Sequence, residues 1–324
     1  MHSPITRRAL SAAALALAAP RPAPAQAPWP DRPIRLVVPF APGGASDVTA
    51  RLTAQHVANR LGKPIVVDNR PGASTVIGAA EVARAAPDGY TLLLAPPPFT
   101  ITQFAYPNLP YDAEAAFRPV VLLVTGPTVL YARAGLADGF PAILALAKAK
   151  PGALTYGSPG NGSLPHVAFE LLKLRAGIDV LHVPYRGGGP AAADLAAGRI
   201  DLMIASPLEM VAHVQAGLVV PVAALAAQRA AAYPQAPTMA ELGVPDYQVL
   251  SWFGIVAPAA VPDAIVQRLN AEYRAVLEMP ELRARLADLG IDPAGGSPEV
   301  FGALLAAERA RWREAVAVAG VRVE

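Results

Sequence analysis

Three glycine-rich segments hold the residues of this 324-residue chain whose types and spacing could do chemistry. The first runs Pro39-Phe-Ala-Pro-Gly-Gly-Ala-Ser-Asp47, the second Gly157-Ser-Pro-Gly-Asn-Gly-Ser-Leu-Pro-His166, and the third Tyr185-Arg-Gly-Gly-Gly189. Each stands between an apolar strand-like run and a helix-like run, where an open parallel sheet binds its ligands. A helix start there presents unpaired N–H groups and partial positive charge, and glycine lets backbone approach a guest closely. The chemistry this permits is anion binding. Ser158, Asn161 and Ser163 could meet a carboxylate directly or through water. The competing account of the first segment is a tight turn with Ser46 or Asp47 capping the helix, and Arg186 reads first as a solvated surface charge.

Magnitudes narrow the guest. Burying a carboxylate costs several kcal/mol, and each charge-assisted hydrogen bond returns about 1.5–3 kcal/mol, so three or four aligned donors suffice. The first two segments contain no Lys or Arg. Binding would rest on backbone dipoles, which favours small mono- or dicarboxylates over heavily charged phosphates. No segment is a nucleotide fingerprint: Gly62-Lys63 runs into Pro64 without the upstream glycine of a P-loop, and Gly187–Gly189 lacks G-x-G-x-x-G spacing.

Catalytic machinery is not legible. His56, His182 and His213 fall in helix or strand patterns where packing or exposure is the default, and His2 belongs to the extreme N-terminus. Ser163 and His166 are three apart at a helix start, a spacing for capping rather than for a nucleophile and its base. There is no G-x-S-x-G elbow, no H-E-x-x-H and no carboxylate cluster with metal spacing. The absence of cysteine removes disulfides, thiolate metal sites and lipid attachment. No catalytic residue, metal or cofactor is expected.

The elements that must position these segments alternate. Strands are predicted over Ile34–Phe40, Ile65–Asn69, Thr91–Ala95, Val120–Val124, Thr128–Ala132, Leu154–Gly157, Val180–Tyr185, Ile200–Ala205, Val219–Ala223 and Trp252–Ala257. Between them lie helices such as Ser46–Leu61, Ile77–Ala85, Ser163–Ala176 and Pro190–Ala197. This alternation predicts an α/β fold with mainly parallel sheets, and the unbroken apolar strands imply burial on both faces. Two amphipathic helices, Pro262–Glu278 and Ser297–Val316, close the chain and return to the first sheet.

Length and composition fit two globular domains: 53% of residues are hydrophobic, 6% aromatic and 16% charged. Residues 1–25 read as an export signal, with Arg7 and Arg8, an apolar run from Ala9 to Ala19, and A-x-A patterns at Ala23–Ala25 and Ala25–Ala27. The arginine pair leaves the general secretory and twin-arginine routes both open. Cleavage after Ala25 removes three arginines and no acid, leaving 24 basic against 25 acidic side chains. With no Lys/Arg cluster, nucleic acid is not an expected partner. The mature chain is expected to be soluble and periplasmic.

Five stretches resemble the Bug-type substrate-binding proteins of tripartite tricarboxylate transporters: PFAPGGASDVTAR (39–51), NRPGASTVIGAAEVARAAPDGYTLLL (69–94), YGSPGNGSLPHVAFELL (156–172), HVPYRGGGPAAADLAAGRIDLM (182–203) and APTMAELGVPDYQVLSWFGIVAP (236–258). The resemblance implies a type II periplasmic-binding (Venus-flytrap) fold with the ligand between two α/β lobes. Residues 28–124 and 250–324 would form lobe one, discontinuous in sequence, and 125–249 lobe two. It further implies capture of a small organic carboxylate by a monomer that docks on membrane permease subunits. Carried over by position, lobe one would contribute Phe40, Gly43, Gly44, Ala45, Ser46, Asp47, Pro97 and Phe99. Lobe two would contribute Ser158, Asn161, Gly162, Ser163, His166 and Tyr185.

Three departures bear on the ligand. Gly72-Ala-Ser-Thr75 replaces a glycine-rich run, Pro96-Pro-Pro98 makes one wall apolar and stiff, and Ala205 stands where many relatives carry Asp. The last argues against a ligand ammonium, leaving a carboxylate with an uncharged body. The alternatives are a sensory protein presenting its ligand to a signalling receptor and, behind it, a secreted enzyme on the same scaffold.

Overall fold

The computed structural model describes residues 29–245, 247–319 and 321; the expected export segment at 1–25 lies outside them. The first elements are β1 (Ile34–Val38), α1 (Ala45–Leu61), β2 (Ile65–Asn69), α2 (Val76–Ala83), β3 (Thr91–Ala95), α3 (Pro98–Ala105) and β4 (Phe117–Pro127). Next come β5 (Val129–Arg133), α4 (Gly139–Ala149), β6 (Thr155–Ser158), α5 (Leu164–Ala176), β7 (Leu181–Pro184), α6 (Gly188–Ala196), β8 (Leu202–Ala205), α7 (Pro207–Gln215) and β9 (Val219–Ala224). The described chain ends with β10 (Leu250–Pro258), α8 (Asp263–Leu277), α9 (Pro280–Asp288), β11 (Asp292–Gly295) and α10 (Pro298–Ala319).

Two sheets result, and from Arg32 onward they belong to one compact unit. One has the order β11-β4-β10-β3-β1-β2 and the other β7-β6-β8-β5-β9. Strands joined through helices pair in parallel: β1 with β2 and β3, and β6 with β7 and β8. The strands that carry the chain between sheets run against them, β10 antiparallel to β3 and β4, and β5 antiparallel to β8 and β9. The sheets are therefore mixed where mainly parallel ones were expected, and the α/β two-lobe architecture stands. An unforeseen edge strand, β11, pairs with β4; its Pro293 sits where a missing N–H is tolerated.

The passage between sheets is short. β4 ends at Pro127, Thr128 follows, and β5 begins at Val129 in the other sheet. On the return, Val249 N–H donates to the Leu225 carbonyl at 2.8 Å, and Thr128 Oγ1 donates to the Val249 carbonyl at 2.7 Å. The two crossing segments are thus tied to each other where they leave the second sheet.

Local sequence explains the helix boundaries near the cleft. α5 starts at Ser163, whose Oγ accepts from the His166 N–H at 3.4 Å, and stops at Gly177 in the left-handed region. α7 begins Ser206-Pro207, with proline at the first helical position. α10 crosses both halves: Phe301 and Leu305 pack with the first sheet, while Trp312 and Val316 join the core that covers the second.

Candidate functional site

The first glycine segment is held by an acid rather than by its glycines. Asp47, in the first turn of α1, accepts from the Gly43 N–H at 3.1 Å, from Arg51 Nε at 3.0 Å and from Asn69 Nδ2 at 3.0 Å. Asn69, at the end of β2, also donates to the Phe40 carbonyl at 3.0 Å. Burial pushes the Asp47 carboxyl up, but the donors from Arg51, Gly43 and Asn69 outweigh it and hold the group below the usual carboxylate range. The segment is thereby fixed as a rigid arch over the start of α1. The first helical bond is Val48 N–H to the Gly44 carbonyl at 3.0 Å, leaving the amides of Ala45 and Ser46 ahead of it.

The second segment is fixed by histidines. Ser158 Oγ lies 2.6 Å from His182 Nε2, and the Gly162 N–H donates to His166 Nδ1 at 3.0 Å. The two imidazoles stack at 4.1 Å between ring centroids, and Tyr156 continues the stack beyond His182. Burial holds His182 down at about 3 and also lowers His166. Both rings are neutral struts near pH 7.

These loops meet the third. Ala41 N–H donates to the Arg186 carbonyl at 3.3 Å, and Tyr106 Oη donates to the Asn161 carbonyl at 3.3 Å, each bond joining the two halves. Beneath them lies a cavity of about 70 Å³. Its lining brings together the starts of four helices: Gly44, Ala45 and Ser46 of α1; Ser163, Leu164 and Pro165 of α5; Gly188 of α6; and Ser206 and Glu209 of α7. Each start directs partial positive charge toward the same space. Pro96, Pro97, Pro98, Phe40, Pro159 and Phe253 supply apolar wall, and Thr128 and Ser251 stand where the chain crosses between sheets. No Lys, Arg or His lines it, and Glu209 is the one ionisable group on its wall among the described residues.

Two polar groups on that wall lack protein partners. Ser206 Oγ is buried, 5% exposed for the residue, and makes no hydrogen bond among the described residues. Glu209 is partly buried and lines the cavity; burial pushes its carboxyl up to about 7. A buried polar group without a partner loses about 1–3 kcal/mol that a hydrogen-bonding guest can restore.

Of the residues picked from sequence, Phe40, Gly44, Ala45, Ser46, Pro97, Ser163 and Ala205 line this cavity. Asn161 and Tyr185 line an outer hollow of about 510 Å³, which also includes Phe40, Ser74 and Arg186. Tyr185 Oη turns to Asp194 at 2.8 Å; burial and this acid push its phenol up to about 12. Gly43, Asp47, Ser158, Gly162 and His166 line neither space and brace the loops through the bonds above. Phe99 turns into the core, 2% exposed and edge-on to Phe117 at 5.1 Å.

The α7 start carries no glycine in its loop, so the glycine pattern of the sequence does not mark it. A different signal does: a hydroxyl and a proline, Ser206-Pro207, directly after an apolar strand. Ala205 lines this wall without an acid, and Glu209 one turn on brings a carboxyl to the same cavity, so the expectation of a wall free of acid does not follow from Ala205 alone. Among the described residues, no group of three or more His, Cys, Asp or Glu side chains could hold a metal, and no helix is long and apolar enough to cross a membrane.

Residues 49–321 match the family described as tripartite tricarboxylate transporter family receptor. Among solved structures, the chain is 35% identical to a protein of R. palustris determined with adipate, with a TM-score of 0.87 over 90% of this chain and 98% of that one. It is 31% identical to the periplasmic binding protein BugD, with a TM-score of 0.88 over 91% of this chain and 100% of that one. To MatC from Rhodopseudomonas palustris with bound malate it is 33% identical, with a TM-score of 0.85 over 89% of this chain and 100% of that one.

Proposed function

The chain belongs to the tripartite tricarboxylate transporter receptor family, and from that premise we propose that it is an exported periplasmic protein that captures a small organic carboxylate and delivers it to membrane permease subunits. The observation that carries this reading is the convergence of four helix starts on one cavity that no basic side chain lines. Such a site neutralises a carboxylate with backbone dipoles and hydroxyls, and gives a phosphate dianion too little countercharge. Similar proteins were solved with adipate and with malate, which supports a small organic carboxylate as the guest.

One chain supplies both walls, so a monomer is sufficient. Among the described residues, bonds from Ala41 to Arg186 and from Tyr106 to Asn161 span the cleft, weak enough singly for the halves to part by hinge motion and admit a guest. Closing over ligand would give the permease a surface absent from the open form. No step of this cycle makes or breaks a covalent bond, so the protein is read as a receptor and not an enzyme.

The test is a melting-temperature screen of the purified chain against mono- and dicarboxylates, malate and adipate included. A bound member at a hundredfold over its Kd stabilises by about 2.7 kcal/mol, a rise of several degrees. A panel with no effect at millimolar concentration, or turnover of any member, overturns the reading.

A further inference from the structure

Glu209 is an acid placed inside an anion site. It extends from the first turn of α7 toward the meeting point of the other helix starts: a β-carbon built on Gly44 would lie 3.6 Å from its Oε1, and one on Gly188 would collide with its carboxyl. No donor from the protein reaches that carboxyl among the described residues, although the backbone of Gly188 and Gly189 borders the same spot. Ser206 Oγ, three residues earlier on the same wall, is likewise without a partner. The titratable groups facing Glu209 are few. Tyr131 on β5 interacts with it electrostatically, and Tyr233 stands edge-on to Tyr131 at 5.9 Å. His213 lies one turn further along α7 and does not line the cavity.

Two like charges repel strongly in so small a space, and a carboxylate guest must be accommodated beside this carboxyl. Resting on the carboxylate-receptor reading above, we propose that Glu209 binds its guest as a proton-sharing partner: the ligand enters as a carboxylate, and the neutral Glu209 carboxyl donates a hydrogen bond to it. The proton comes from bulk water and remains between the two groups, so capture takes up one proton wherever Glu209 is ionised beforehand. Ser206 Oγ, free to rotate, supplies a second donor to the same guest. Burial already holds the Glu209 carboxyl at about 7, and an anionic neighbour raises it further. The site therefore selects against a second negative charge near α7 and makes affinity fall as the periplasm turns alkaline.

The experiment is calorimetry of the wild-type chain with a carboxylate panel that includes adipate and malate, from pH 5.5 to 9, in buffers of different ionisation enthalpy. For the tightest binder the expected result is uptake approaching one proton at pH 8, with affinity falling tenfold per pH unit above the Glu209 value of the free protein. Glu209→Gln, whose amide still donates, should bind without proton uptake and with a flat profile. Binding with no proton uptake in the wild type, or an unchanged profile in Glu209→Gln, overturns the proposal and leaves the carboxylate reading intact. Proton release on binding also overturns it, pointing to a ligand donor that Glu209 accepts as a carboxylate. If no carboxylate binds at any pH, both readings fall.

Discussion

A β-carbon placed on Gly188 would collide with the carboxyl of Glu209: the bare start of α6 leaves room for the acid of α7. The colliding atoms are the movable end of a flexible side chain, so Gly188→Ala should turn the carboxyl aside at a folding cost of about 1 kcal/mol, the scale of a rotamer shift. Carboxylate affinity should fall at least tenfold. Urea melts and calorimetry on the same variant separate the two effects. A loss of several kcal/mol would show Glu209 locked by packing, and unchanged affinity would show that its carboxyl does not shape the site.

Acid stability should report two opposed titrations. His182 is depressed to about 3 from an ordinary 6.5, so between those values the unfolded chain binds more protons, and stability is lost as pH falls. His166, also lowered, acts in the same direction. Glu209 is raised to about 7 from 4.5, so the folded chain binds the extra proton there, and its contribution grows as pH falls through that window. One proton of difference is worth about 1.4 kcal/mol per pH unit. Urea denaturation at pH 7, 6 and 5 should show a steeper acid loss in Glu209→Gln than in the wild type, and a shallower one in His182→Gln. Parallel slopes in all three would remove both assignments.

Asp47 should matter for architecture first and ligand second. Its carboxylate gathers Gly43, Arg51 and Asn69, and Asn69 in turn holds the Phe40 carbonyl. Asp47→Ala strands these donors and should cost about 1.5–3 kcal/mol, the range for a hydrogen bond to a charged group. Because its value lies below that of the unfolded chain, this contribution is present at neutral pH and is lost only as pH falls through the folded value. A urea midpoint at pH 7 within error of the wild type would reject the bracing role.

Residue types alone determine part of this architecture and leave part to tertiary geometry. The strands and the helices around the first two loops were legible because apolar runs and glycine or serine punctuation fix them locally. That Asp47, His166 and Ser158 brace loops was not legible, because the same residue types serve a guest or the backbone equally well and only tertiary geometry decides which way the side chain turns. Phe99 carried an aromatic ring next to a cleft loop, and the helix Pro98–Ala105 rotated that ring onto Phe117. Glu209 is illegible in sequence for the opposite reason. An acid in the first turn of a helix looks like ordinary dipole compensation until neighbouring elements bury it.

The segment beside the outer hollow stores strain. Ala73, Ser74 and Thr75 all adopt positive φ, at 45°, 46° and 96°, and the hydroxyls of Ser74 and Thr75 are buried without partners. A β-branched residue there is an outlier that glycine would not be. Thr75→Gly should therefore raise stability by up to about 1 kcal/mol, where glycine in regular structure ordinarily lowers it. A lowered melting temperature would show that the methyl contacts of Thr75 outweigh its backbone cost.

Gly44 offers the sharpest separation of folding from binding. Its backbone, φ −83° and ψ 174°, is extended and open to any residue, so the left-handed argument that applies to Gly43 at φ 88° does not apply here. What a side chain would meet is the other half of the protein: a β-carbon comes to 3.5 Å of the Gly189 nitrogen and 3.7 Å of the Gly188 nitrogen. That contact is ordinary, and the two further methyls of valine add bulk to the gap between the starts of α1 and α6, beside the cavity that Gly44 lines. Gly44→Val should leave the urea midpoint close to that of the wild type, because neither sheet's core is touched. Carboxylate affinity should drop by a factor of ten or more, and ligand should no longer bring the halves together in small-angle scattering. Full affinity in the valine variant would mean that the guest does not require close approach of these two loops.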